Sequence, residues 1–167
     1  MFEVSHTAVA TQLLERCRAQ GLRIVTAESC TGGLVAALLT SIPGASQVFE
    51  AGMVTYSNDA KTLLIGVADD IVRTHGAVSE ETARAMADGA LLTVGRASLA
   101  LAVTGIAGPD GGTATKPVGL VHIAAARRHR PTLHRKLLLG NAGREAIRIH
   151  SVAEVVELGL AQTLGEP

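Results

Sequence analysis

Residues 22–33 constrain the fold more than any other stretch. Leu22 to Ala27 is a short, largely apolar run of the kind that forms a strand buried on both faces, and Leu34 to Leu39 continues as an Ala/Leu/Val helix. Between them lies Thr26-Ala-Glu-Ser-Cys-Thr-Gly-Gly33, a handover from strand to helix. A buried strand that runs directly into a helix belongs to a layered α/β structure. Ser29 and Thr31 are natural helix-start residues, and Gly32 and Gly33 let another backbone or a ligand approach closely. The first-turn N–H groups of a helix have no partners within it, so the junction suits an anion or a developing oxyanion. A capped helix start packed on a sheet accounts for the same residues.

The rest of the chain repeats this alternation. Residues 4–20 predict an amphipathic helix ended by Gly21, and residues 48–55 a second strand. Ser57 or Asn58 caps a short helix that carries Lys61 and stops at Gly66, and another short helix covers residues 68–75. Ser79, with Glu80 and Glu81 behind it, starts a longer helix to about Val94. Ser98 to Val103 is a third strand and runs into the glycine-dense Thr104-Gly-Ile-Ala-Gly-Pro-Asp-Gly-Gly112. Residues 118–126 and 132–139 form a hairpin whose turn, with His134, Arg135 and Lys136, reads as a solvated basic tip. A final helix covers residues 144–164.

The expected fold is a layered α/β/α domain with a mixed sheet that includes a late antiparallel hairpin, formed by residues 1–167 as one domain. Hydrophobic residues are 47% of the chain while aromatics are only 2%, so aliphatic side chains and alanine must build the core. Fifteen basic residues balance fifteen acidic ones, which argues against nucleic acid as the main partner. Cys17 and Cys30 lack metal-ligand spacing, so neither a zinc site nor a disulfide framework is expected. The start does not resemble a signal peptide, and no apolar run reaches the roughly 18 residues that span a bilayer. The expectation is a soluble, cytoplasmic protein with no membrane partner and no cofactor.

Ligands in such folds gather at the carboxyl ends of strands. Three stretches fall there: Ser29, Tyr56 to Lys61, and Thr104 to Gly112. A serine becomes nucleophilic when a base removes its proton, and a lysine can do so if burial leaves it neutral. Lys61 is the candidate base, with Tyr56 available to the same proton network, although an isolated lysine of this kind is ordinarily an exposed helix residue. Cys30 is the rival nucleophile, because a helix start favours a thiolate, but free cysteine is more often a small buried hydrophobe. None of the six histidines lies in these stretches, and His122 is the one a strand could bring to them. Arg144 and Arg148, one helical turn apart, suit a phosphate or serve as surface arginines.

These motifs have a familiar order. Thr26 to Gly33, Val54-Thr-Tyr-Ser-Asn58 with Lys61, Ile65-Gly-Val67, His75-Gly-Ala-Val-Ser79, Thr104 to Gly112, Lys116-Pro-Val-Gly119 and Arg144-Glu-Ala-Ile-Arg148 resemble the CinA carboxy-terminal domain family. The match runs from the first helix to the last. The resemblance implies similarity to the family's stand-alone members, nicotinamide-nucleotide amidases, on the expectation that the additional amino-terminal domain of longer CinA proteins is lacking.

The resemblance implies hydrolysis of nicotinamide mononucleotide to nicotinate mononucleotide and ammonia. It implies Ser29 as nucleophile and Lys61 as base, with Tyr56, Thr104 and Arg144 at the site. Joined to the residue-level reading, N–H groups near Thr31, Gly32 and Gly33 would hold the oxyanion. The glycine loop, with Gly105, Gly108 and Gly111, would hold ribose and phosphate together with Arg144. The expected partner is a small nucleotide, and a homodimer is compatible with this reading. An amidase acting on another amide, or a nucleotide-binding regulatory module without chemistry, are the alternatives. The family often carries Asp or Asn where this chain has Gly143.

Overall fold

The computed structural model describes residues 2–164. In chain order the elements are α1 (Val4–Ala19), β1 (Ile24–Glu28), α2 (Leu34–Thr40), β2 (Phe49–Val54), α3 (Asn58–Ile65), α4 (Asp69–His75), α5 (Glu80–Thr93), β3 (Leu99–Gly105), β4 (Leu120–Arg127), β5 (Leu133–Leu138) and α6 (Arg144–Thr163). They form one five-stranded sheet in the order β2-β1-β3-β4-β5. β1 pairs in parallel with β2 and β3, whereas β3–β4 and β4–β5 are antiparallel. The mixed α/β sheet with its late hairpin is the architecture that the alternation of strands and helices predicts.

The two sheet faces differ in side-chain size, which decides what packs on each. One face presents Leu99, Leu101, Val103, Val121 and Ile123 and carries α1, α2 and α6. The other presents Ala27, Ala100, Ala102, Ala124 and Ala126, on which the Ala83, Met86, Ala87 and Ala90 face of α5 lies. Period-two alternation along each strand produces this division. Alanine on both sides lets α5 sit close to the sheet.

α5 in turn positions α3. Gly89 is buried, and a Cβ there would overlap the Ile65 carbonyl oxygen at the end of α3. Gly89→Ala must therefore push α3, with Lys61 on it, away from α5. The expected cost is about 2 kcal/mol, read as a Tm about 6 °C lower. A drop under about 2 °C would show that α3 moves aside freely.

Two expectations need correction. The basic hairpin tip is not simply solvated: Arg128 donates from Nε to Ala97 O at 2.7 Å and from Nη2 to Leu91 O at 2.7 Å, and Arg127 donates to Gln162 O at 3.3 Å. These arginines satisfy carbonyls at the end of α5 and in α6, where a backbone acceptor would otherwise lack a partner. The second correction concerns the junction. α2 begins only at Leu34, with Gly33 at φ 96° before it, and neither Ser29 nor Thr31 caps it. β1 extends instead to Glu28, whose side chain takes over the capping.

Candidate active site

The carboxyl ends of β1 and β3 and the start of α3 meet around a cavity of about 260 Å3. Ser29 follows the last residue of β1, and its N–H donates to Val103 O on β3 at 2.9 Å. Its side chain is therefore carried on the central strands of the sheet. Lys61 sits one turn into α3, a helix capped by Ser57, whose Oγ accepts from Ala60 N–H at 3.0 Å. That short helix brings the Lys61 Nζ to 3.3 Å from the Ser29 Oγ.

Lys61 is almost fully buried, at 1% exposure. Its remaining partners are backbone carbonyls: Thr55 O at 3.0 Å, Tyr56 O at 3.4 Å and Ser57 O at 3.5 Å. No carboxylate pairs with it among the described residues. Burial strips water from the ammonium and holds its pKa below the ordinary 10.5. In its neutral form the amine would keep two N–H donors for these carbonyls and one lone pair within reach of the Ser29 hydroxyl.

Cys30 lines the same cavity, but burial pushes its thiol up to about 12, so it stays protonated and is a poor nucleophile. His122 does not line the cavity. It is paired with the His134 ring at 3.0 Å, and burial holds it down to about 4.

The glycine loop forms the opposite wall. Thr104, Gly105, Gly108, Asp110 and Gly111 all line the cavity, as do Tyr56 and Arg144. Arg144 is the first residue of α6 and donates to Gly108 O at 2.8 Å and to the Tyr56 hydroxyl at 3.2 Å. Tyr56 thus faces two ways: its backbone carbonyl meets Lys61, while its exposed phenol meets Arg144. Gly143 has φ 91°, a conformation that glycine takes without strain, and its carbonyl accepts from Ile147 N–H to start α6. Arg148 does not line this cavity. It donates to Cys30 O at 3.1 Å and Thr31 O at 2.9 Å, clamping the turn after Ser29.

Sequence reasoning passed over Glu28. This residue is fully buried at the end of β1 and accepts from Gly33 N–H at 3.0 Å, Val35 N–H at 3.0 Å, Ala36 N–H at 2.9 Å and the Thr31 hydroxyl at 2.7 Å. A carboxylate of the chain itself therefore occupies the positive end of α2. Thr31, Gly32 and Gly33 do not line the cavity. The available signal was an acid at a strand end just before a Gly-Gly helix start, where a carboxylate is favoured.

The chain matches a known family in sequence and in fold. The CinA C-terminal domain description matches residues 6–163. A competence-damage inducible protein of Symbiobacterium thermophilum is 56% identical over 123 residues, which are 74% of this chain and 28% of the relative. One from Desulforudis audaxviator is 49% identical over 150 residues, 90% of this chain and 35% of the relative. The chain thus spans about a third of the length of these curated relatives.

Among solved structures, the competence/damage inducible protein CihA from Agrobacterium tumefaciens superposes with a TM-score of 0.93 at 46% identity, covering 96% of this chain and 97% of the other. A CinA superfamily protein from Klebsiella pneumoniae gives 0.89 at 30% identity, over 96% and 98%. With a family match over nearly the whole chain and the same fold in both relatives, this chain belongs to the CinA C-terminal domain family.

Proposed function

We propose that the chain is an amidohydrolase that converts nicotinamide mononucleotide and water to nicotinate mononucleotide and ammonia. One observation carries the reading: a buried lysine that has no carboxylate partner among the described residues lies 3.3 Å from a serine hydroxyl in a cavity at the sheet's strand ends. Neutral Lys61 takes the Ser29 proton as Oγ attacks the carboxamide carbon. The carbonyl oxygen becomes the oxyanion, and the N–H of Cys30 is the donor next to the nucleophile. Collapse of the tetrahedral intermediate breaks the C–N bond, and the Lys61 ammonium returns the proton to the departing ammonia. Water, deprotonated by the same amine, then attacks the ester and releases the carboxylate.

Arg144 and the glycine loop are suited to the 5′-phosphate, since a guanidinium binds phosphate through two parallel donors. Tyr56 orients that guanidinium at the cavity mouth.

Ammonia release is measured from nicotinamide mononucleotide and from the riboside that lacks the phosphate. Ser29→Ala is expected to retain binding and lose turnover by about 10⁴-fold or more. Arg144→Ala is expected to raise KM about 30-fold for the nucleotide and to leave the riboside unaffected. Equal rates on the two compounds would redirect the reading to a different amide. Nucleotide binding with no ammonia release would leave a regulatory module instead.

A further inference from the structure

Lys116, in the Lys116-Pro-Val-Gly119 motif, has no part in the chemistry above, yet it reaches the cavity wall. Its Nζ donates to His75 O at 2.6 Å, at the end of α4, and to Val78 O at 2.7 Å, in the segment that joins α4 to α5. The two carbonyls between them are also held by side chains. Gly76 O accepts from the Ser79 Oγ at 3.0 Å and the Thr82 Oγ1 at 2.8 Å, and Ala77 O accepts from the Thr104 Oγ1 at 2.7 Å. Gly76 has φ 83°, which disfavours a side chain there, and a Cβ on it would lie 2.7 Å from the Lys116 Nζ, so a larger residue must displace the backbone or the ammonium.

A trans peptide unit is planar, so fixing each C=O also fixes the next N–H on the opposite side. Ala77 and Val78 line the cavity together with Ser29 and Lys61. Among the described residues, neither N–H has a hydrogen-bond partner. Both residues are half-buried, so an N–H held this firmly at the cavity wall without a protein partner is free to donate to a ligand oxygen.

Acyl-transfer sites with the nucleophile on a strand-to-helix turn take one oxyanion donor from the following residue and another from a neighbouring loop. Cys30 supplies the first, and Gly33 is committed to Glu28. The geometry points to the Ala77–Val78 segment as the second donor, with Lys116 as the positioning residue that holds it. This rests on the acyl-transfer role of Ser29.

Steady-state ammonia release from nicotinamide mononucleotide by the full chain tests the assignment. Lys116→Met and Gly76→Ala are each expected to lower kcat about 100-fold, the cost of losing one oxyanion donor, with KM and the shape of the pH profile nearly unchanged. Lys116→Arg, which keeps the donors, should recover about a tenth of the wild-type rate or more. A second arm needs no turnover. A pyridine boronic acid adds to the Ser29 Oγ to give a tetrahedral boronate, the proton passing to Lys61. The Ala77 or Val78 amide proton should shift on adduct formation, and the shift should vanish in Lys116→Met.

Unchanged kcat in the folded variants, a loss confined to KM, or no shift at either amide would overturn the assignment. If the wild type releases no ammonia, the substrate reading fails instead. The amide shift then decides this inference alone.

Discussion

Lys61→Met is expected to cut turnover by about 10⁴-fold while making the protein more stable. Methionine nearly matches the lysine stem in volume but carries no charge, so it removes the base without opening a cavity. The native residue buries an amine among carbonyls, with no carboxylate among the described residues to balance it. Relief of the desolvated amine is offset in part by the Thr55 carbonyl left without its donor, so the net gain should be about 1 kcal/mol, seen as a Tm higher by about 3 °C. Opposite changes in activity and stability are the mark of a residue kept for chemistry.

The gain depends on pH in a definite direction. Burial lowers the folded-state pKa of Lys61 below its unfolded value of 10.5, so the unfolded chain binds more protons between the two values. Stability therefore falls as pH drops from about 10.5 toward the folded pKa, and the penalty is complete below it. The advantage of Lys61→Met should grow over the same window in denaturant titrations. Wild-type kcat/KM should rise with pH through that folded pKa, as the neutral base becomes populated. Activity above a tenth of wild type in Lys61→Met, or a rate independent of pH in this range, would remove Lys61 from the mechanism.

Glu28→Ala is expected to be the most destabilising single change at the site. It leaves the N–H groups of Gly33, Val35 and Ala36 and the Thr31 hydroxyl without their acceptor in a buried region. Hydrogen bonds to a charged group contribute about 1.5–3 kcal/mol each and do not simply add, so a total loss of about 4 kcal/mol is expected. For a chain of this size that lowers Tm by about 12 °C.

Glu28→Gln should fall between, because an amide offers one acceptor oxygen and turns an N–H₂ group toward other donors. Activity should suffer in both variants beyond what unfolding explains, since Glu28 directly precedes Ser29 and shapes its turn. A Tm within about 3 °C of wild type in Glu28→Ala would show that water satisfies these donors.

Much of the architecture is legible along the chain because its signals are local. Gly21 and Gly66 stop helices, Ser57 and Ser79 start them, and both serines accept the expected hydrogen bond from three residues on. Helix α5 and the strands follow their periodicities to within one or two residues. The candidate pair Ser29 and Lys61 is also readable, since each lies at the end of a strand or just beyond it.

Other features depend on contacts between residues far apart in sequence. Arg144 and Arg148 have the same local spacing and charge, yet one reaches the cavity and the other clamps the Ser29 turn, 118 residues away from Cys30. Arg128 looks like a solvated tip residue until the hairpin places it over the end of α5. The helix start after Ser29 reads as an open anion site because nothing in the local pattern tells where the Glu28 side chain turns.

By itself the sequence determined the strands, the helices, the serine caps of α3 and α5 and the two residues that meet at the heart of the cavity, because periodicity and capping act over a few neighbouring residues. Only the tertiary structure decided the state of the Ser29 junction. Packing buries the Glu28 carboxylate on the start of α2, desolvates Lys61 beside a serine and keeps the Cys30 thiol protonated. Those outcomes depend on what surrounds each group in three dimensions, and burial is a property of the whole fold.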